Sequence, residues 1–236
     1  QRALVIELRT RLLGRIGDAR LESLNDGYLA ASCTEMGDGQ KSADCFARLA
    51  TALKKLPDVD ECMALYETVV EIAKEIGDRI ANISFLRQLA ELASALGRHE
   101  KALMLYEQAL EVVSAMEDRG TQQDILLSMG LAAGLLREPL HAASHFERAV
   151  GLAREIGDRQ KEAIALFDLA DSLHFGGDLM KAEDCYKQTL ELNDPFIEGK
   201  CLLGLAILYG QHGQDQAALE MFGRCCEVCR DHMQSN

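Results

Sequence analysis

Along this chain, apolar residues at helical spacing alternate with short polar breaks, and the breaks recur about every twenty residues. They fall at Gly17, Gly37, Pro57, Gly77, Gly97, Glu117, the Arg137-Glu138-Pro139 step, Gly157 and Gly176-Gly177. Each stretch between them reads as an α-helix. Every second break carries a similar five-residue turn. Glu155-Ile156-Gly157-Asp158-Arg159 is identical to Glu75-Ile76-Gly77-Asp78-Arg79, Ala115-Met116-Glu117-Asp118-Arg119 is a degraded copy, and Glu35-Met36-Gly37-Asp38 is an earlier one. Glycine at the end of an apolar run supplies the left-handed residue that closes a helix, and the aspartate after it can cap the next one. The expected unit is therefore a helix-turn-helix of forty residues, repeated.

Superposing the chain on itself at that offset gives matched columns. Leu49, Leu89, Met129 and Leu169 align in the first helix, followed by the small residues Ala50, Ala90, Gly130 and Ala170. In the second helix Cys62, Ala102, Ala142 and Ala182 align, then Tyr66, Tyr106, Phe146 and Tyr186, then Val69, Ala109, Ala149 and Thr189. A thirty-six-residue step brings Leu205, Ala206, Gly213, Ala218, Phe222 and Cys225 into the same columns. Small side chains let two helix backbones approach, and the aromatic fills the wider gap, so these are packing positions.

The Leu89-Ala90, Gly97, Ala102, Tyr106, Ala109 series resembles the tetratricopeptide repeat, and the other units repeat it. The forty-residue spacing with Ile-Gly-Asp-Arg at the junctions is similar to the long-repeat members of that family, such as Pins/LGN, rapsyn and tonsoku. The chain departs from the leucine-glycine-asparagine signature of the Pins/LGN group, having Glu91, Leu131, Asp171 and Ile207 where asparagine would stand. That group's ligand is not carried over. The resemblance implies an all-α fold, a right-handed α-α superhelix of about six helix-turn-helix units. They run roughly 1 to 39, 40 to 79, 80 to 119, 120 to 159, 160 to 195 and 196 to 236, forming one array that fills the chain. The first unit fits least well, with Arg9 and Thr10 at the Leu-Ala pair and Asp26 at the aromatic. It is either a terminal unit or a degenerate one. The chain opens at Gln1 without a methionine, and a larger parent protein is expected.

Three prolines, no tryptophan and 48% hydrophobic residues fit an all-helical protein. No apolar run approaches the roughly 18 residues of a membrane span, so no membrane partner is expected. The formal charge of −13 is uneven: residues 1 to 60 carry nine basic and nine acidic side chains, and 61 to 236 carry sixteen against twenty-nine. An acidic surface repels phosphate backbones, which disfavours direct nucleic-acid binding. Of the eight cysteines most stand on helices and several in packing columns, where cysteine acts as a small apolar residue, which points to a reducing compartment, cytoplasmic or nuclear.

Apart from packing, the first helices hold a surplus of apolar residues. Leu126, Leu127, Leu131 and Leu135 cannot share the one face that packing uses, and Phe167 and Phe175 fall outside the columns. In arrays of this family the first helix of each unit lines the concave face, which the resemblance makes the expected groove. Its candidate residues are Arg11, Arg15, Arg48, Lys54, Lys55 and Arg87 early in the chain. Later come Leu127, Leu131, Leu135, Phe167, Asp171, Phe175, Leu203 and Ile207, with Asp124, Asp168 and His174 among them. A groove basic at one end and apolar at the other suits a peptide or helical segment of another protein, with acidic and apolar anchors. The alternative is a structural component whose surplus apolar residues are buried by self-association or by the parent chain.

Signs of chemistry are weak. Cys226, Cys229 and His232 have metal-like spacing, but one continuous helix presents too few ligands, and His141 and His145 lack the intervening glutamate of a metalloprotease helix. No phosphate loop, nucleophile elbow or kinase pattern is present. Asp168, Asp171 and His174 could act as acid and base, yet three polar side chains on a solvated groove are commonly plain surface. The reading is a non-catalytic scaffold with no cofactor and no metal.

Overall fold

The computed structural model describes residues 59–75 and 77–234, with nine α-helices among them. The chain forms two compact units, Gln1–Met116 and Glu117–Asn236. In the first, the described helices are α1 (Val59–Glu75), α2 (Arg79–Ala95) and α3 (His99–Ser114), with α2 packed against both others. In the second, α4 (Arg119–Leu135), α5 (Pro139–Ile156), α6 (Arg159–Phe175), α7 (Leu179–Glu191), α8 (Glu198–Gln211) and α9 (Asp215–Gln234) each pack on the next. Within each unit, turns of two or three residues force neighbours to run antiparallel, except for the longer α7–α8 connection.

The turns work as their residues require. Gly77, Gly97, Gly157, Gly177 and Gly213 all take positive φ, between 69° and 85°. At five helix ends the residue after such a glycine closes a backbone bond to a carbonyl five positions back, as in Arg98 N to Ala93 O and Asp158 N to Ala153 O. Asp78, Asp118 and Asp158 then cap α2, α4 and α6 by accepting from the amides of Ala81, Thr121 and Lys161. Asp178 does the same for α7. Where glycine is absent, Glu117, Arg137 and Asn193 take the left-handed conformation themselves.

The packing columns form the core. Leu89, Met129, Leu169 and Leu205, the alanines at 90, 102, 142, 170, 182 and 206, and the rings of Tyr66, Tyr106, Phe146 and Tyr186 are all buried. Each ring so buried stabilises the fold by roughly 2–3 kcal/mol. The small-residue column is sterically exact at Gly130, where an added Cβ would lie 2.5 Å from the Phe146 ring. Gly204, outside the columns, is held as tightly, its Cβ position lying 2.6 Å from the Tyr186 ring.

Several details differ from expectation. Leu126 belongs to the core, and the surplus on α4 comes down to Leu127, Leu131 and Leu135. α8 begins at Glu198, two residues into the unit expected from 196, because Asn193 takes the left-handed turn and Asp194 accepts from the Phe196 amide before the helix starts. Phe222 stands in the aromatic column but is 40% exposed, since α9 packs chiefly on α8 and no later described helix covers it. Cys62, Cys185 and Cys201 are buried, whereas Cys226 and Cys229 lie on the open side of α9 rather than in a packing face. Arg11, Arg15, Arg48, Lys54 and Lys55 lie outside the described residues, as do Cys33, Cys45 and the whole of the unit 1 to 39.

Candidate partner-binding face

Within the second unit, α4, α6 and α8 lie side by side, and polar contacts between them fix the order. Lys161 Nζ on α6 reaches Asp124 Oδ1 on α4 at 2.6 Å. His174 Nε2 on α6 meets Gln211 Oε1 on α8 at 2.8 Å, and Lys200 Nζ on α8 lies 5.8 Å from the centre of the Phe167 ring. Residues four apart on a helix share a face. The series Leu127, Leu131, Leu135; Phe167, Asp171, Phe175; and Leu203, Ile207, Gln211 therefore form three parallel rows on the side that these contacts bridge.

Exposure separates their roles. Leu131 is 55% exposed, Leu135 59%, Phe175 80%, Leu203 43% and Ile207 44%. Leu127 and Phe167 are half-buried, and the Phe167 ring leans on Tyr186 with centroids 6.2 Å apart. Phe175 stacks on His174. The face is thus a shallow apolar surface whose inner members are partly supported from below. Exposed apolar side chains occur elsewhere too, among them Ile80, Met104, Leu140 and Met180, but these stand on other rows.

Two carboxylates sit in this face. Asp168 is pushed up to about 6, first by burial and then by the neighbouring Asp171 charge, with Lys200 pulling the other way. Asp171 is also raised by burial, an effect opposed by the hydrogen bond from the Tyr186 hydroxyl and by His174 and Lys200. The same bond, after burial, pushes the Tyr186 phenol upward. Asp171, His174, Lys161 and Asp124 are each engaged in holding helices together, which uses up their polar capacity in positioning. Among the described residues no group of three or more His, Cys, Asp or Glu could hold a metal ion.

Of the expected groove residues, the structure brings together Leu127, Leu131, Leu135, Phe167, Asp171, Phe175, Leu203 and Ile207 in one unit. Arg87 lies in the other unit on α2, half-buried, with its Nε lacking a hydrogen-bond partner. Missed by sequence reasoning were Lys200, Gln211 and the Tyr186–Asp171 bond. The tyrosine was placed as a packing ring, and its row carries no mark of what its hydroxyl would meet.

Family models for the tetratricopeptide repeat match residues 43–115 and 200–236. The chain carries tetratricopeptide repeats. Its fold agrees with solved structures of that class at low sequence identity. BtubC (BKLC) from P. vanneervenii is 18% identical with a TM-score of 0.71, covering 94% of both chains. YrrB, a TPR protein with an unusual peptide-binding site, is 18% identical with a TM-score of 0.60, over 85% of this chain and 93% of that one. A Podosopora anserina putative kinesin light chain with nearly identical TPR-like repeats is 16% identical with a TM-score of 0.63, over 89% and 95%. No curated protein matches the chain at significant similarity. These repeats and this fold support a protein-interaction scaffold in general terms. Among its described helices none is long and apolar enough to cross a membrane.

Proposed function

We propose that this protein is a non-catalytic scaffold that holds a segment of another protein on the α4–α6–α8 face. The observation that carries this reading is the row of exposed Leu131, Leu135, Phe175, Leu203 and Ile207, gathered on adjacent first helices while the second-helix columns are packed shut. Exposed apolar side chains grouped on one preorganised face are what an apolar anchor needs. The peptide-binding site named for the YrrB structure supports the same reading. The segment is a peptide or helix with Leu- or Phe-type anchors. The compartment is a reducing one, the cytoplasm or nucleus.

The test is a peptide selected from a display library on the full chain, then measured against Leu131→Asp with Phe175→Asp. Both side chains are more than half exposed, so the variant keeps its helical signal and melting temperature. Binding is expected to fall at least tenfold, on the scale of losing two anchors. Equal binding by the variant removes this face from the reading.

A second reading, a structural part of a larger assembly, has its own observation. Helix α9 presents Leu219, 71% exposed, and Phe222. Light scattering of the full chain against Leu219→Asp with Phe222→Asp distinguishes it: a dimer that the variant dissolves favours assembly, and a monomer throughout counts against it.

A further inference from the structure

The first unit contains a recess of about 440 Å³ between the C-terminal ends of α1 and α3 and the first turns of α2. Its walls include Lys74, Asp78, Arg79, Asn82, Gln108 and Glu111, above an apolar floor of Val70 and Leu86. Eighty residues on, the second unit repeats the place almost residue for residue: Val150, Arg154, Asp158, Arg159, Glu162, Leu166, Gln188 and Glu191. There the space is crossed by a side chain. Arg154 Nε donates to Glu162 Oε1 at 2.7 Å and Arg154 Nη2 to Gln188 Oε1 at 3.0 Å. The Glu162 carboxylate is only 15% exposed.

Only two of the polar positions differ between the copies. Lys74 replaces Arg154, and Asn82 replaces Glu162. Asn82 Nδ2 donates to the Val70 carbonyl at 3.1 Å, and a neutral amide brings no charge to answer the lysine. Among the described residues neither Lys74 nor Arg79 makes an ion pair, and both are exposed at the rim. The second copy holds two cations and three carboxylates; the first holds two cations and two. The first copy therefore keeps the cation and the space but lacks the carboxylate.

We propose that this recess binds a glutamate or aspartate side chain offered by a partner protein, whose carboxylate takes the place that Glu162 fills in the second unit. Lys74 pairs with it, Arg79 supports it from the rim, and the free Gln108 amide can donate to it. Asp78 and Glu111 do not forbid this, because Asp158 and Glu191 stand at the same positions beside Glu162. Moreover, Asp78 is already engaged in capping α2. A lysine is shorter than an arginine and offers a point charge rather than a fork, so it does not span the recess from α1 to Gln108 on its own. The site is separate from the α4–α6–α8 face and stands or falls apart from it.

The test is a nuclear magnetic resonance titration of the full chain with acetyl-Ala-Glu-Ala-amide and, separately, acetyl-Ala-Gln-Ala-amide. The side-chain amide signals of Asn82 and Gln108 are expected to shift with the glutamate peptide, which binds about fivefold more tightly than the glutamine one, the scale of one partly enclosed ion pair. Lys74→Gln, at an exposed position, should erase that preference. Lys74→Arg with Asn82→Glu rebuilds the second unit's pair and should abolish the shifts. Equal response to the two peptides overturns the proposal, as does a glutamate preference that survives Lys74→Gln or the double substitution. Shifts confined to residues away from Lys74, Asn82 and Gln108 also overturn it.

Discussion

The helices α1–α3 of the first unit and α4–α9 of the second share a period and a set of packing columns, yet they finish their polar work differently. In the second unit Tyr186 donates to Asp171, Lys161 pairs with Asp124, and Arg154 ties α5 to both α6 and α7. In the first, Tyr66 donates to a neutral Gln88 at 3.3 Å, and the counterpart of Arg154 is a lysine with no ion pair among the described residues. The first helices diverge as well: Arg87 and Glu91 of α2 stand at the register of Leu127 and Leu131 in α4. A repeat thus keeps its apolar columns because packing demands them, and its polar positions are free to vary. One copy can close a site that another leaves open.

Gly204 marks a closure about as tight as that at Gly130, and breaking it has the largest effect of the substitutions proposed. Its missing side chain lets the Tyr186 ring sit against α8, with an added Cβ only 2.6 Å from the ring. Gly204→Val forces that ring to move and disturbs its bond to Asp171, at a cost of about 3 kcal/mol. In the first unit Gln88→Val removes one hydrogen-bond partner of Tyr66 at a half-buried site and should cost about 1 kcal/mol. Urea denaturation of both variants checks the ranking. A Gly204→Val protein no weaker than Gln88→Val would show that the second unit is not the tighter one.

Next in size is the burial of Asp168. Its carboxyl is raised to about 6 by burial and by Asp171, so the folded protein holds the proton more firmly than the unfolded chain does. Stability from this group is therefore full below about pH 4 and lost as the pH rises through about 6. Facing it are Asp171 on its own helix and Lys200 from α8, while Tyr186 from α7 and His174 act on Asp171. Asp168→Asn should be more stable than the parent protein by roughly 2 kcal/mol at pH 8, with the two curves converging by pH 4. Denaturation across that range measures it, and a gap that does not depend on pH removes burial as the cause.

A smaller effect is expected at Arg154. Arg154→Ala leaves the largely buried Glu162 carboxylate without its bridge and should cost about 1 kcal/mol, while Lys74→Ala in the first unit should cost nothing measurable. Thermal melting of the two variants side by side decides it.

Much of this was legible in the chain before any coordinates. The aspartates and glycines of the turns and the alanine and aromatic columns announce themselves, because helix closure and close packing tolerate few residue types. The apolar rows were legible as a surplus, since Leu131, Leu135 and Phe175 had no packing role to fill. Tyr186–Asp171, Lys200–Phe167 and the Arg154 bridge were not. They join residues eight to thirty-four positions apart through flexible polar side chains, and many residue types would serve at either end. The Lys74–Asn82 recess shows itself only when the two copies are laid over one another in space.

The smallest effect concerns the turns. In the first unit both described turns use glycine, at Gly77 and Gly97, whereas the second places two of its turns on Arg137 and Asn193. An L-residue at positive φ crowds its own Cβ, and asparagine suffers less than arginine because its short side chain bonds locally, as Asn193 does to the Glu191 carbonyl. Replacing Arg137 with glycine relieves that crowding but adds freedom to the unfolded chain, so the net gain is about 0.5 kcal/mol. Asn193→Gly should gain less, because it also loses the local bond. Gly157→Ala, the converse change, should cost about 1 kcal/mol. If melting curves place Arg137→Gly below the parent protein, the left-handed turn is not a strained point, and the difference between the units rests on the polar bridges alone.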